Sequence, residues 1–295
     1  PMLIGEREKS WIVPESRMWF RKLSMTPFGY LNLTQFLGAL NDNLYKFFLV
    51  YLLIDDLGAT ETNTIVSLAS VLFVVPFLLF SASAGIIADR YSKSRITIWT
   101  KILEVVIAGF GVVAFATRSP WASYTVLFLL GAQSAIFGPS KYGIVPELVP
   151  TDQLSRANGL VTSFTYVAII IGTGFSSLFT DLTGRRYTVC AFICLAVALI
   201  GLWSSLRIPY TPPSGSDKKV SPRFIKDIKT ALFEARETPF LSTAILGSAF
   251  FLFAAAWVQM NVIPFAMQSL GLSSVDGGYL FMLTTIGIGV GAMLA

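Results

Sequence analysis

The run from Phe28 to Ile54 is apolar and long enough to cross a bilayer, which takes about 20 helical residues. Yet its middle reads Asn41-Asp42-Asn43, with Lys46 one turn on. An Asp or Lys at the centre of a spanning helix costs about 2.5–3.5 kcal/mol on insertion scales. Such residues turn away from lipid. On a helix, Asp42 and Lys46 are four apart and share a face with Gln35 and Ala39. The spacing predicts an intramembrane ion pair that looks onto other helices or a wet cavity, and a pair at that depth marks a functional site. The competing reading is a structural pair that locks helices together.

Comparable apolar runs recur down the chain. They predict helices at about 63–88, 96–117, 121–138, 155–180, 187–206 and 239–265, with an eighth starting near Ser274. Pro76 is the expected kink in the second, and Gly138 to Pro150 reads as a loop. Charged residues make up 13%, against about 25% in a soluble domain. The fold class is therefore an all-α polytopic membrane protein. Runs without period-2 alternation exclude a transmembrane β-barrel. No cleavable signal peptide is expected before the first run.

The flanks carry the topology. Residues 1–27 form a charged, aromatic segment expected to lie on the membrane surface. Residues 208–238 form a linker in which Phe224, Ile225, Ile228, Leu232 and Phe233 recur at helical spacing beside Arg223, Lys226, Lys229 and Arg236. That pattern predicts a basic amphipathic helix on an anionic leaflet. With the N-terminus cytoplasmic, only Arg118, Arg185 and Arg186 of the 22 basic residues lie outside, and Lys46 lies in the membrane. This asymmetry favours that orientation.

There is no histidine, which removes His metal sites and Ser-His or Cys-His nucleophiles. Cys190 and Cys194, in an apolar run, are expected to be packing residues. The net charge of +5 reports topology rather than nucleic-acid binding. No catalytic residue, metal site or cofactor is expected.

An internal repeat is also visible. Asp-Asp-Leu57-Gly58 ends the first helix and Gln-Ser-Leu270-Gly271 ends the seventh, an offset of 213. Lys46 then falls on Gln259, while Gly85 and Asp89 map past the last residue. The expectation is a second bundle of which only the beginning is present.

Gly85-x-x-x-Asp89-Arg90-x-x-Lys93-x-Arg95 follows the second helix. It resembles the GxxxDRxGRRxxL signature of the major facilitator superfamily, with Ser92 where glycine is usual. The resemblance implies the major facilitator fold: a six-helix bundle over 28–207, the linker, and the first two helices of a second bundle over 239–295. It also implies a conformational switch built from Gly85, Asp89, Arg90, Lys93 and Arg95, the glycine allowing close backbone approach.

LNDNLYKFFLVYLL on the first helix, FGPSKYGIVPELVP after the fourth and LSRANGLV opening the fifth are similar to the bacterial lysophospholipid transporter family. That resemblance implies an inner-membrane transporter that moves lysophospholipids, such as lysophosphatidylethanolamine, toward the cytoplasmic leaflet by alternating access. It implies as partners membrane lipids and a cytoplasmic acyltransferase-synthetase, separate or fused. Asn41, Asp42, Asn43 and Lys46 would meet the head group, lysine for its phosphate and aspartate for its ammonium. Gln133, Lys141, Gln259 and Asn261 are further candidates, and Phe250, Phe251 and Phe253 could line an acyl path. Glu104, three residues after Lys101, is expected to make a local pair. Gly287 and Gly291 suggest close helix packing. Two other readings stay open: a proton-coupled transporter of a small polar solute or drug with Asp42 as carrier, and the transporter half of a fused acyltransferase.

Overall fold

The computed structural model describes residues 25–213 and 240–294, together with 215, 233 and 236. The expected surface segment over residues 1–24 and most of the linker helix lie outside the described residues. Long helices dominate: α1 (Pro27–Leu57), α2 (Thr62–Arg90), α3 (Lys93–Ala116), α4 (Pro120–Gly143), the short α5 (Val145–Leu148), α6 (Leu154–Leu182), α7 (Tyr187–Ser205), α8 (Leu241–Gln268) and α9 (Ser274–Leu294). Helices α2, α3, α4, α6, α7 and α8 are each long and apolar enough to cross a membrane. Short turns between successive long helices make neighbours antiparallel.

Local sequence sets the helix starts. Thr26 accepts from Gly29 N and Pro27 follows it, a cap with proline in the first turn. Ser119 caps α4 in the same way, ahead of Pro120, and Ser92 caps α3 without a proline. The expected boundary at residue 138 is corrected. Helix α4 runs through Pro139 to Gly143, because a proline near a helix end removes one backbone bond without stopping the turn. The extension carries Lys141 on helical backbone instead of in a loop.

Helix α1 is the axis. Every residue from Phe47 to Ile54 is buried, and α1 packs against α4, α6 and α7. That burial lets one helix carry polar residues at mid-depth. Helix α2 lies along α4, where a side chain on Gly131 would meet the Phe73 carbonyl at 2.7 Å. Helix α3 sits between α4 and α7, and α9 rests on α6 and α8. A Cβ on Gly172 would lie 3.0 Å from both the Asn43 Cβ and the Leu40 carbonyl. Among the described residues of α9, Gly277 and Gly278 pack closely against Ile263 and Tyr51, whereas nothing described lies within 4 Å of a Cβ on Gly287. Cys190 and Cys194 are buried, free and part of the main core.

The two ends of the bundle differ. At one end α1 finishes in Asp55 and Asp56, where the helix dipole disfavours carboxylates. Arg118 in the α3–α4 turn bonds Asp56 at 2.5 Å, and Arg185 in the α6–α7 turn pairs with Asp55. Tyr187 donates to Asp55 at 2.6 Å. Both arginines sit at positive φ, 49° and 61°, a costly backbone for a side chain with a Cβ. The other end carries the α2–α3 turn, α5 and the start of α6. There Lys93 donates to Glu147 at 2.6 Å, tying α3 to α5.

Candidate functional site

Two spaces adjoin α1. The first, about 430 Å³, lies among α1, α2, α3, α4 and α6. Its polar lining is Gln35, Asp42, Asn43, Lys101, Ser134, Lys141 and Thr165, and Phe73, Phe77 and Phe137 supply apolar wall. Ser134 donates to Asp42 Oδ2 at 2.6 Å. Asp42 Oδ1 is buried with no partner among the described residues. Lys141 reaches Thr165 Oγ1 at 3.3 Å and Gln35 Oε1 at 3.5 Å, and Thr165 donates to Gln35 at 2.8 Å. A carboxylate and an ammonium thus face one cavity from facing helices.

The second space is a cleft of about 440 Å³ between α1, α2 and α8, closed by Phe281 of α9. Val50, Val66, Val71, Val74, Val75, Leu78, Met260 and Ile263 make it apolar; Lys46, Ser70 and Gln259 are its polar groups. The Lys46 Nζ lies 5.9 Å from the Phe73 ring centroid. Phe73 lines the polar cavity, so Lys46 of the cleft lies against one of that cavity's wall residues. No carboxylate lies within ion-pair distance of Lys46 among the described residues.

The expected Asp42–Lys46 pair is therefore corrected. One helical turn separates them, but Asp42 turns to Ser134 on α4, whereas Lys46 lies over α2. Different neighbours, unreadable from i,i+4 spacing, set the two directions. The buried ion pair is Lys101–Glu104 at 2.6 Å, each side chain 1% exposed. The local pairing expected for Glu104 is present, and it is the hub of a larger network. Asn41 Nδ2 donates to Glu104 Oε1 at 3.0 Å, and Gln133 Nε2 donates to the Thr100 carbonyl at 3.1 Å and toward Glu104 Oε2 at 3.5 Å. Gly38 makes the room: a Cβ there would overlap the Lys101 ammonium.

Asn41 and Gln133, expected at the head group, serve this interior network and line neither space. Asn261 is exposed and donates to the Trp257 carbonyl at 2.8 Å; it too lines neither. Phe250, Phe251 and Phe253 are exposed on α8 and line neither. Asn43 and Lys141 line the polar cavity, and Lys46 and Gln259, matched by the repeat offset, share the apolar cleft. Lys101, Ser134 and Thr165 are lining residues that the sequence reading missed. Lys101 sits in the third run with Glu104 one turn away, the one available signal.

Among the motif residues, Asp89 and Arg90 are exposed. Asp89 makes no ion pair among the described residues, and Arg95 stacks on Tyr210 at 5.1 Å. The close approach expected at Gly85 is corrected: nothing described lies within 4 Å of a Cβ there.

A family model described as the Major Facilitator Superfamily matches residues 31–295. A Klebsiella pneumoniae protein named lysophospholipid transporter LplT is 30% identical over 262 residues, spanning 88% of this chain and 62% of its own length. The protein of the same name from Escherichia fergusonii is 27% identical over 265 residues, with the same coverage. The chain thus spans less than two thirds of the length of these curated relatives. Among solved structures, a bacterial homolog of the human lysosomal transporter Spinster superposes with TM-score 0.59 at 20% identity, covering 88% of this chain and 60% of that one. The POT family transporter PepTSo gives 0.52 at 21%, covering 89% and 52%. At these identities the structural likeness concerns the fold.

Proposed function

Because this chain belongs to the major facilitator superfamily, we propose that the complete protein is an inner-membrane transporter that moves a lysophospholipid, such as lysophosphatidylethanolamine, toward the cytoplasmic leaflet by alternating access. The N-terminus is cytoplasmic in this reading, and residues 28–207 and 239–295 belong to two bundles joined by the linker. The protein does no bond chemistry; a partner acyltransferase would act on the delivered lipid.

The observation that carries this reading is that a polar cavity and an apolar cleft both border α1. A lysolipid has a small charged head and a single acyl chain, and two such spaces bordering one helix suit its two ends. The buried, unpartnered Asp42 Oδ1 is an acceptor suited to a head-group ammonium. Lys141 in the cavity and Lys46 in the cleft suit its phosphate. Val71, Val74 and Leu78 of the cleft wall are also largely exposed, which gives an acyl tail an apolar route. The names of the curated relatives support the same substrate class.

The switch residues have a matching role. Lys93 binds Glu147, so the α2–α3 turn is coupled to α5 and, through it, to the end of α4 that carries Lys141. Asp89 and Arg90, exposed beside that turn, are free to engage the second bundle in one conformation.

The test is uptake of lysophosphatidylethanolamine by liposomes containing the complete protein, with and without a pH gradient. Uptake that persists without the gradient fits lipid movement. Uptake abolished by collapsing it favours the proton-coupled alternative, and no uptake of any lysophospholipid removes the proposal.

A further inference from the structure

A third space, about 340 Å³, lies away from the transport path at the α2–α3 turn. Arg90, Tyr91 and Ser92 come from the end of α2 and the turn, Arg95, Ile96 and Trp99 from the first turns of α3, and Tyr210 and Pro213 from the segment after α7. That segment is pinned in place. Thr211 N donates to Ser94 Oγ at 3.0 Å, and Ser94 N donates to Thr211 Oγ1 at 3.4 Å. Tyr210 is thereby held against the Arg95 guanidinium.

The charges here are handled differently from those at the opposite end. Arg118 and Arg185 each have an aspartate. Arg90 and Arg95 line a common space, and neither has a carboxylate partner among the described residues. The first turn of α3 contains no acidic residue, so the positive end of its helix dipole is not offset there by a carboxylate. Trp99 is 68% exposed, and Tyr91 and Tyr210 are also exposed. Exposed tryptophan and tyrosine at the ends of spanning helices sit at head-group depth. The pocket therefore offers cations to a phosphate and aromatic walls to a glycerol backbone, at the level where a bilayer presents both.

We propose that this pocket binds an anionic glycerophospholipid, with Arg90 and Arg95 on the phosphodiester and Trp99 and Tyr210 against the glycerol and first methylenes. The occupant is a bilayer lipid and not a transported molecule, because Asp42, Lys141 and Lys46 line other spaces. Occupancy would place an anion on two of the residues assigned above to the conformational switch.

The complete protein in detergent micelles tests this, with bound lipid read by native mass spectrometry against phosphatidylglycerol, phosphatidylcholine of the same chains, and inorganic phosphate. The wild type should retain phosphatidylglycerol in preference to phosphatidylcholine. Arg90→Gln or Arg95→Gln should each weaken that retention by roughly fivefold, while Arg118→Gln at the opposite end should leave it unchanged. Both arginines are exposed, so unfolding is not expected, and either single variant stands as a test if the other is lost. Preference that survives both single substitutions overturns the proposal. Displacement of phosphatidylglycerol by millimolar inorganic phosphate also overturns it, since the site would then read a free anion.

Discussion

Lys101 and Glu104 carry opposite charges with almost no solvent contact, and Asn41 and Gln133 are committed to them. Removing one member of a buried pair leaves the other uncompensated, at a cost of about 3–5 kcal/mol. Lys101→Met should therefore lower the thermal unfolding midpoint in detergent sharply, and adding Glu104→Gln, which removes the charge but keeps an acceptor for Asn41, should restore part of it. A single variant as stable as the wild type would contradict the assignment of this pair as the core lock. Asp42 behaves differently, because it lines a cavity and its second oxygen has no partner among the described residues. Asp42→Asn should leave stability within about 1 kcal/mol, in line with a conservative change at a site whose Ser134 bond survives. The sequence made the polar residues of α1 conspicuous, since a mid-bilayer Asp and Lys stand out in any hydropathy reading. It did not reveal their directions. Asp42 and Lys46 part company because Ser134 and Phe73, remote in sequence, take one each. Lys101 was legible only as a local partner for Glu104, because its place at the cavity depends on a gap that Gly38 leaves on another helix.

At the scale of helices and turns, small residues set how closely the elements approach. Gly131→Ala would drive a methyl into the Phe73 carbonyl, and Gly172→Ala would press on Asn43 and Leu40. Each should lower stability by about 1–3 kcal/mol through overpacking. Gly287→Ala, with nothing within 4 Å, should be neutral or slightly stabilising through helix propensity. Equal melting midpoints for all three variants would contradict the packing described. The α3–α4 turn makes a second comparison. Arg118 combines a left-handed backbone with a largely exposed ion pair, and such pairs contribute about 0–1 kcal/mol. Arg118→Gly relieves the backbone while losing the pair, so the two effects should nearly cancel. Arg118→Ala loses the pair and keeps the strain, and should be the less stable of the two by about 1 kcal/mol. A thermal melt of both variants decides it. Helix positions were legible from apolar run length to within a few residues, whereas the caps at Thr26, Ser92 and Ser119 emerge only from the structure. The end of α4 was not legible, because Pro139 looks like a stop in sequence and is accommodated inside the last turns.

For the whole molecule, the superfamily assignment rests on a match over residues 31–295, and the GxxxDR pattern had already pointed there. The transport reading adds a cavity that must open to each side in turn. Asp89 is exposed, unpaired among the described residues, and adjacent to the Lys93–Glu147 tie. Asp89→Ala should change which side of the membrane labels introduced cysteines, with little effect on lysolipid affinity. Identical labelling in the two forms would remove Asp89 from the switch. That a polar cavity and an apolar cleft both border α1 was not readable from the chain, because it depends on α8 packing on α2 and on which neighbours Asp42 and Lys46 face. The most direct measurement is the rate of lysophosphatidylethanolamine movement into liposomes carrying the complete protein, for wild type, Asp42→Asn and Lys46→Ala at matched protein density. Both variants should insert normally and fall at least tenfold in rate, an amount that loss of one charge-assisted bond of about 1.5–3 kcal/mol produces. Wild-type rates in either variant would contradict the head-group role on which the transport mechanism stands.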